Sequence, residues 1–271
     1  MAVFAAAGDR DLGMFQEQWL NRTGAPSLSL GEVDFGSDKV ELEIRQTEPV
    51  YELEIPVVVT TPEGTAEHIV KLDRVAQKFT IKGGYISAVA VDPDYHLFRR
   101  LHRQEIEATV SQVLAEHEPV FVMGVTTPEL QAAGRAFAAS FVEAESPTVT
   151  SDGAVVANGH ANVLINPAPA LLKRLAPGEL KLAGKMVFLG GKRYELDKFD
   201  VVFAAADPDD PSVTHLVVLC GAPERLEGLA SRVSHYGKYS WLLLPVGSGR
   251  PLKGNWTAGA SPLTASRTTK M

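Results

Sequence analysis

Metal and nucleophile chemistry leaves short signatures, and in this chain the first place to look for one is His117-Glu118-Pro119-Val120-Phe121. A zinc peptidase helix carries H-E-x-x-H, which sets two imidazoles one turn apart with a glutamate to activate water. Here Phe121 stands where the second imidazole belongs, and Pro119 breaks the helix that would set the spacing. His68, His96, His102, His160, His215 and His235 offer no other close pair; His96 and His102, six apart, face different sides of a helix. Asp207, Asp209 and Asp210 follow a strand pattern at its end, where open α/β sheets place ligands, and three carboxylates on a loop are candidates for a cation such as calcium. Pro208 and Pro211 interrupt them, so an acidic solvated turn is the competing reading. Gly124, Val125, Thr126 and Thr127 open a strand–turn–helix unit, but neither G-x-G-x-x-G nor G-x-x-x-x-G-K-[ST] is present to cradle a phosphate. Gly247, Ser248 and Gly249, with Arg250 and Lys253, precede no predicted helix, and no G-x-S-x-G elbow exists. Cys220 falls in a buried strand pattern, where a thiol is inert packing. No nucleophile, base and oxyanion site come together.

The elements that would position such groups change character along the chain. Val40, Leu42 and Ile44 alternate with Glu41, Glu43 and Arg45, and Tyr51, Leu53, Ile55, Val57 and Val59 continue the two-residue period. Further short strands are expected over 68–72, 79–81 and 86–91, the pattern of an antiparallel sandwich. Pro56 should then lie at an edge or a bulge, since it cannot donate to a ladder. Ahead of the sandwich, 11–21 reads as a helix, with Leu12, Phe15, Trp19 and Leu20 at helical spacing, Asp11 as cap and Gly24 beyond the end. A charged helix is expected over 94–116. The second half alternates strands apolar on both faces (120–125, 162–165, 201–206, 216–220, 241–244) with helices over 128–143, 168–175 and 223–234. Gly190 and Gly191 mark a hairpin, and the link 207–214 is too short for a crossover helix, so one strand pair there should be antiparallel.

The expected fold class is therefore α+β in two domains, an N-terminal antiparallel β-sandwich of immunoglobulin-like type followed by a three-layer α/β domain with a mixed sheet. Its expected boundaries are a helical remnant over 1–24, the sandwich over 25–94, a helical connector over 95–116, the α/β domain over 117–247 and a loose tail over 248–271. Hydrophobic residues make up 45% of the 271-residue chain, enough to bury a core and too many for a disordered segment. A net charge of −7 with no basic block argues against nucleic acid as a partner. No apolar run approaches the roughly 18 residues of a membrane span. Asp9, Arg10 and Asp11 stand where a signal peptide needs an apolar stretch, and the compartment stays open. With Cys220 as the one cysteine, neither an intrachain disulfide nor a cysteine-based zinc site can form.

One passage says more than its periodicity. Residues 5–26, AAAGDRDLGMFQEQWLNRTGAP, resemble the end of the catalytic domain in zinc aminopeptidases of the membrane alanyl aminopeptidase type, the gluzincins. Gly8, Asp11, Leu12, Phe15, Gln18, Trp19, Leu20, Gly24 and Pro26 carry the likeness, and Met14 departs from it, standing where the family often has an aromatic. The segments VELEIRQ (40–46), YELEIPV (51–57) and VDPD (91–94) look like the sandwich that follows in that family. Residues 162–166, 190–194, 201–211 and HYGKYSW (235–241), with Lys253, Gly254 and Trp256, are similar to an α/β module appended to some bacterial members.

The family's H-E-x-x-H helix, third glutamate ligand, amine-binding glutamates and tyrosine have no matching positions here. The resemblance thus implies a non-catalytic C-terminal part of a metallopeptidase. No catalytic or metal-binding residue or cofactor is expected in this chain, and zinc would belong to the preceding catalytic domain. That domain is the implied partner, with Phe15, Trp19 and Leu20 as the interface candidates and a homo-oligomer as a further option. Two other classes compete: a nucleotide- or small-molecule-binding α/β module, whose Gly-rich phosphate loop 124–127 does not provide, and a carbohydrate or adhesion module using Tyr236, Tyr239 and Trp241. Core packing is the plainer reading of Trp241.

Overall fold

A computed structural model of the chain describes residues 8, 11–124, 127–142, 147–151, 155 and 159–267. Strand predominates over helix in an α+β arrangement, and the sheets are antiparallel except for one that is mixed. The chain divides into two units. Met1–Glu105 and Ala260–Met271 make one; Ile106–Gly259 makes the other.

The first unit builds two sheets on the alternation read above. β1 (Leu28–Phe35), β2 (Lys39–Gln46) and β5 (Ala76–Lys82) form one, in the order β1-β2-β5. β3 (Leu53–Thr61), β4 (Gly64–Leu72), β6 (Ala88–Val91) and β17 (Thr264–Ser266) form the other, in the order β17-β6-β3-β4. Val40, Leu42 and Ile44 from β2 and Leu53, Ile55, Val57 and Val59 from β3 share one buried cluster with Leu72, Ile81 and Val91. Pro56 lies in a strand between two others, not in an edge strand, yet at Pro56 itself only β4 is paired. It is tolerated because β3 pairs with β6 only from Val57 onward, so the missing donor faces past the end of β6.

In the second unit a seven-stranded sheet runs β16-β15-β13-β14-β9-β7-β8. β7 (Val120–Met123), β8 (Val149–Thr150), β9 (Asn162–Ile165) and β14 (Thr214–Leu219) are parallel; β13 (Phe199–Ala206) runs against both β14 and β15 (Trp241–Pro245). Every residue of β7, β9 and β14 is buried, as continuous apolar runs require. The short 207–214 link does join an antiparallel pair. A second, three-stranded sheet contains β10 (Leu180–Ala183), β11 (Met186–Leu189) and β12 (Lys192–Glu195). Gly190 and Gly191 turn β11 into β12 with φ of 57° and 74°, a left-handed pair that side chains resist. The helices here are α2 (Val110–Leu114), α3 (Pro128–Val142), α4 (Pro169–Leu175) and α5 (Glu227–Ser234). Glu143, to which the helix pattern extended, lies outside the described residues.

Two expectations fail. Residues 94–116 hold a 3₁₀ turn, Arg103–Glu105, and the short α2 rather than one helix. Asp92 and Tyr95 have φ of 49° and 55°, which ends right-handed winding, and Asp92 Oδ1 accepts the N–H groups of His96 and Leu97. The connector 95–116 is accordingly divided between the units at Glu105. Nor are residues 252–267 of the expected tail loose. β16 (Leu252–Gly254) pairs with β15, Trp256 is buried with its indole N–H on Ala204 O at 2.7 Å, and β17 pairs with β6 beside the fully buried Leu263. Residues 268–271 lie outside those described.

Candidate functional site

The helix expected over 11–21 exists in altered form. Asp11 Oδ1 accepts the Gly13 N–H at 2.8 Å, α1 (Gly13–Gln16) makes one α-helical turn, and Glu17–Asn21 widens into a π turn. Too short to persist alone, this segment is pinned by two side chains. Gln18 is buried; its Nε2 donates to Glu52 O at 3.0 Å and its Oε1 accepts the Glu52 N–H at 2.7 Å, like one more rung on a strand. Arg22 Nη1 donates to Val50 O at 2.8 Å, and the guanidinium lies over the Tyr51 ring. Trp19 is half-buried, its ring 5.2 Å from Tyr51 and 6.0 Å from Phe98.

That anchoring leaves large apolar side chains in solvent. Phe15 is 50% exposed, Met14 57%, Leu20 60% and Phe98 71%. Of the three interface candidates, Phe15 and Leu20 are exposed, while Trp19 packs against the core of its unit. The sequence reading missed Gln18 as the anchor and Phe98 as part of the apolar face. Phe98 falls within 94–116, where a single charged helix was expected. The segment and Phe98 thus present a patch of exposed apolar side chains.

The carboxylate cluster of the second unit does different work from that expected. Asp207 follows β13, which runs against the parallel strands, so the cluster sits at their amino edge beside Asn162 and His215 rather than at the carboxyl edge where ligands bind. Asp207 Oδ1 accepts the N–H groups of Asp209 and Asp210, and its Oδ2 lies 2.7 Å from His215 Nε2. His215 Nδ1 accepts the Asn162 N–H at 3.0 Å, which puts the ring proton on Nε2. Burial would raise the Asp207 carboxyl; the His215 bond and the two backbone donors outweigh it and hold the group below its usual value. Asp209 pairs with Arg174, and Asp210 accepts from Ser212. These carboxylates fasten a turn, and among the described residues no three metal-type ligands converge there or elsewhere.

At the carboxyl edge, Cys220 is buried and its thiol donates to Ala222 O at 3.0 Å. Burial raises both this thiol and the neighbouring Asp200 carboxyl, which suits packing and not nucleophilic attack. Arg225 Nη2 is 3.0 Å from Asp200 Oδ1 but off line for a hydrogen bond. Gly124 presses so closely on the end of β9 that an added Cβ would stand 2.0 Å from Asn166 O, leaving no gap for a phosphate between these two residues. Val125 and Thr126 lie outside the described residues. Tyr236 and Tyr239 have Lys253 Nζ 4.8 and 4.9 Å from their ring centres, and Trp241 packs against Gly254 and Trp256, so these rings are engaged within the unit.

The near-miss at 117–121 does not form a zinc-binding helix. His117 is exposed before β7, whereas Phe121, in the position of a second imidazole, is fully buried within it. A scan against protein-family models finds no match to this chain, and a search of curated proteins finds none either.

Proposed function

We propose that the chain is the non-catalytic C-terminal part of a zinc aminopeptidase-like metallopeptidase, whose preceding helical domain docks on the apolar face around Trp19. In this reading the first unit is an immunoglobulin-like sandwich domain and the second a three-layer α/β domain. The observation that carries it is the anchored segment 13–22, held to the backbone of Val50 and Glu52 by Gln18 and Arg22 yet presenting Met14, Phe15 and Leu20 to solvent. Fully covering a Phe or Leu side chain is worth about 1.5–3 kcal/mol, and Phe15, Leu20 and Phe98 remain 50%, 60% and 71% exposed. The quoted resemblance supplies the identity of the partner, and the absence of matching ligand positions makes this part non-catalytic.

The test has two arms. With aminoacyl-anilide substrates and added zinc, the chain alone should give no turnover; zinc-dependent hydrolysis would overturn the reading. The coding sequence ahead of Met1 should contain H-E-x-x-H, and the domain it encodes should bind this chain in trans, with Phe15→Asp weakening the complex. An upstream frame without that motif sinks the assignment.

A further inference from the structure

A groove in the second unit lies outside every site described so far. It runs between α4 and β10 and has a volume of about 580 Å³. Leu172, Ala176, Leu180 and Leu182 give it apolar walls, and Lys173 on α4 and Lys181 on β10 also line it. The volume suits a small molecule, for which sites run from about 300 to 1,000 Å³. Ten residues line it, well short of the roughly 20–30 per side that a stable protein partner engages. Arg174 pairs with Asp209 and Lys185 with Asp197, and Glu179 accepts the Thr257 N–H at 2.8 Å. Among the described residues neither Lys173 nor Lys181 has an acidic partner.

An apolar trough whose lining includes two lysines without acidic partners is complementary to an alkyl chain ending in an anion. We propose that this groove binds a long-chain fatty acid as its carboxylate, the chain against Leu172 and Leu182 and the charge answered by Lys173 and Lys181. Short carboxylates lack the apolar part, and long alcohols lack the charge. The inference is independent of the docking role proposed for the first unit.

Palmitate titrated below its micelle concentration into the whole chain, followed by calorimetry, tests it. Saturable binding at one site is expected, with hexadecanol weaker and acetate not bound. Lys173→Gln and Lys181→Gln should each weaken palmitate about two- to fivefold at low salt while leaving hexadecanol unchanged. Leu172→Asp should abolish binding with an unaltered circular dichroism spectrum. These lysine variants sit on the surface, so they keep the test decisive if Leu172→Asp misfolds. No saturable binding, equal affinity for the alcohol, indifference to the lysine substitutions, or tighter capture of an acidic amphipathic peptide would each overturn the proposal.

Discussion

Arg99 shows how much a single buried charge can organise. Its guanidinium is enclosed, with Nε on Asp92 Oδ2 at 2.7 Å and Nη1 and Nη2 on the two oxygens of Glu105 at 2.8 and 2.9 Å. Glu105 also accepts the His102 N–H and the Ser261 hydroxyl. Burial alone would raise the Glu105 carboxyl, but the Arg99, Ser261 and His102 hydrogen bonds win and bring it from 4.5 down to about 2. Because the folded value is the lower one, the unfolded chain takes up the proton first as pH falls. The stabilisation is complete above pH 4.5 and disappears as pH drops toward 2. Glu105→Gln should therefore cost about 3 kcal/mol at neutral pH, and the gap from the parent chain should close in acid; urea unfolding across pH reads it, and a pH-independent gap would contradict the assignment. Gln18→Ala should cost about 1–3 kcal/mol by stranding the Glu52 N–H and C=O and shift Trp19 emission to the red. Neither cluster was legible beforehand. Gln18 and Glu52, or Arg99 and Ser261, are too far apart in sequence for any periodicity to connect them, whereas the near-miss at His117 could be dismissed from Pro119 and Phe121 alone.

Elements were legible where one face alternates and obscure where a local device breaks the pattern. β2 keeps strict alternation and β3 does so outside Pro56, and both emerged from their residues directly. β1 did not, because the register slips between Leu30 and Val33, so Leu28 and Leu30 alternate in one phase and Val33 and Phe35 in the other. Segment 94–116 has helical composition, but its left-handed residues and the Asp92 cap override propensity. Short strands that pair far along the chain carry almost no local signal, which is why β16 and β17 read as tail. Two substitutions follow from their packing. Leu263→Ala should destabilise by about 2–5 kcal/mol, since the side chain is fully buried among core residues of the first unit; a loose segment would show no change in a denaturant melt. Gly254→Ala would place a Cβ 2.5 Å from the Trp241 ring. A cost of about 1–3 kcal/mol, with altered tryptophan emission, is the expected outcome.

At the scale of the whole molecule, the first unit is discontinuous in sequence, and the second is an insertion between Glu105 and Ala260. The second unit has its own buried cluster, from Val110 through Trp256, and its sheet closes without any strand of the first. The first unit is different: β17 and Leu263 complete its sheet and core, and Arg267 donates to Ile86 O and Gly36 O. Its two pieces meet where Ser261 Oγ reaches Glu105 Oε1 at 2.6 Å. Residues 106–259 expressed alone should therefore unfold cooperatively with the tertiary signals of Trp241 and Trp256 intact. Residues 1–105 alone should be unstable, because β6 loses a neighbour and the site of Leu263 opens to water. Joining residue 105 to residue 260 through a short Gly-Ser linker should restore that unit, because the fold already brings those ends together. Circular dichroism melts of the three chains decide the matter: a stable 1–105 fragment, or a linked chain no more stable than the fragment, would show that the returning segment is dispensable.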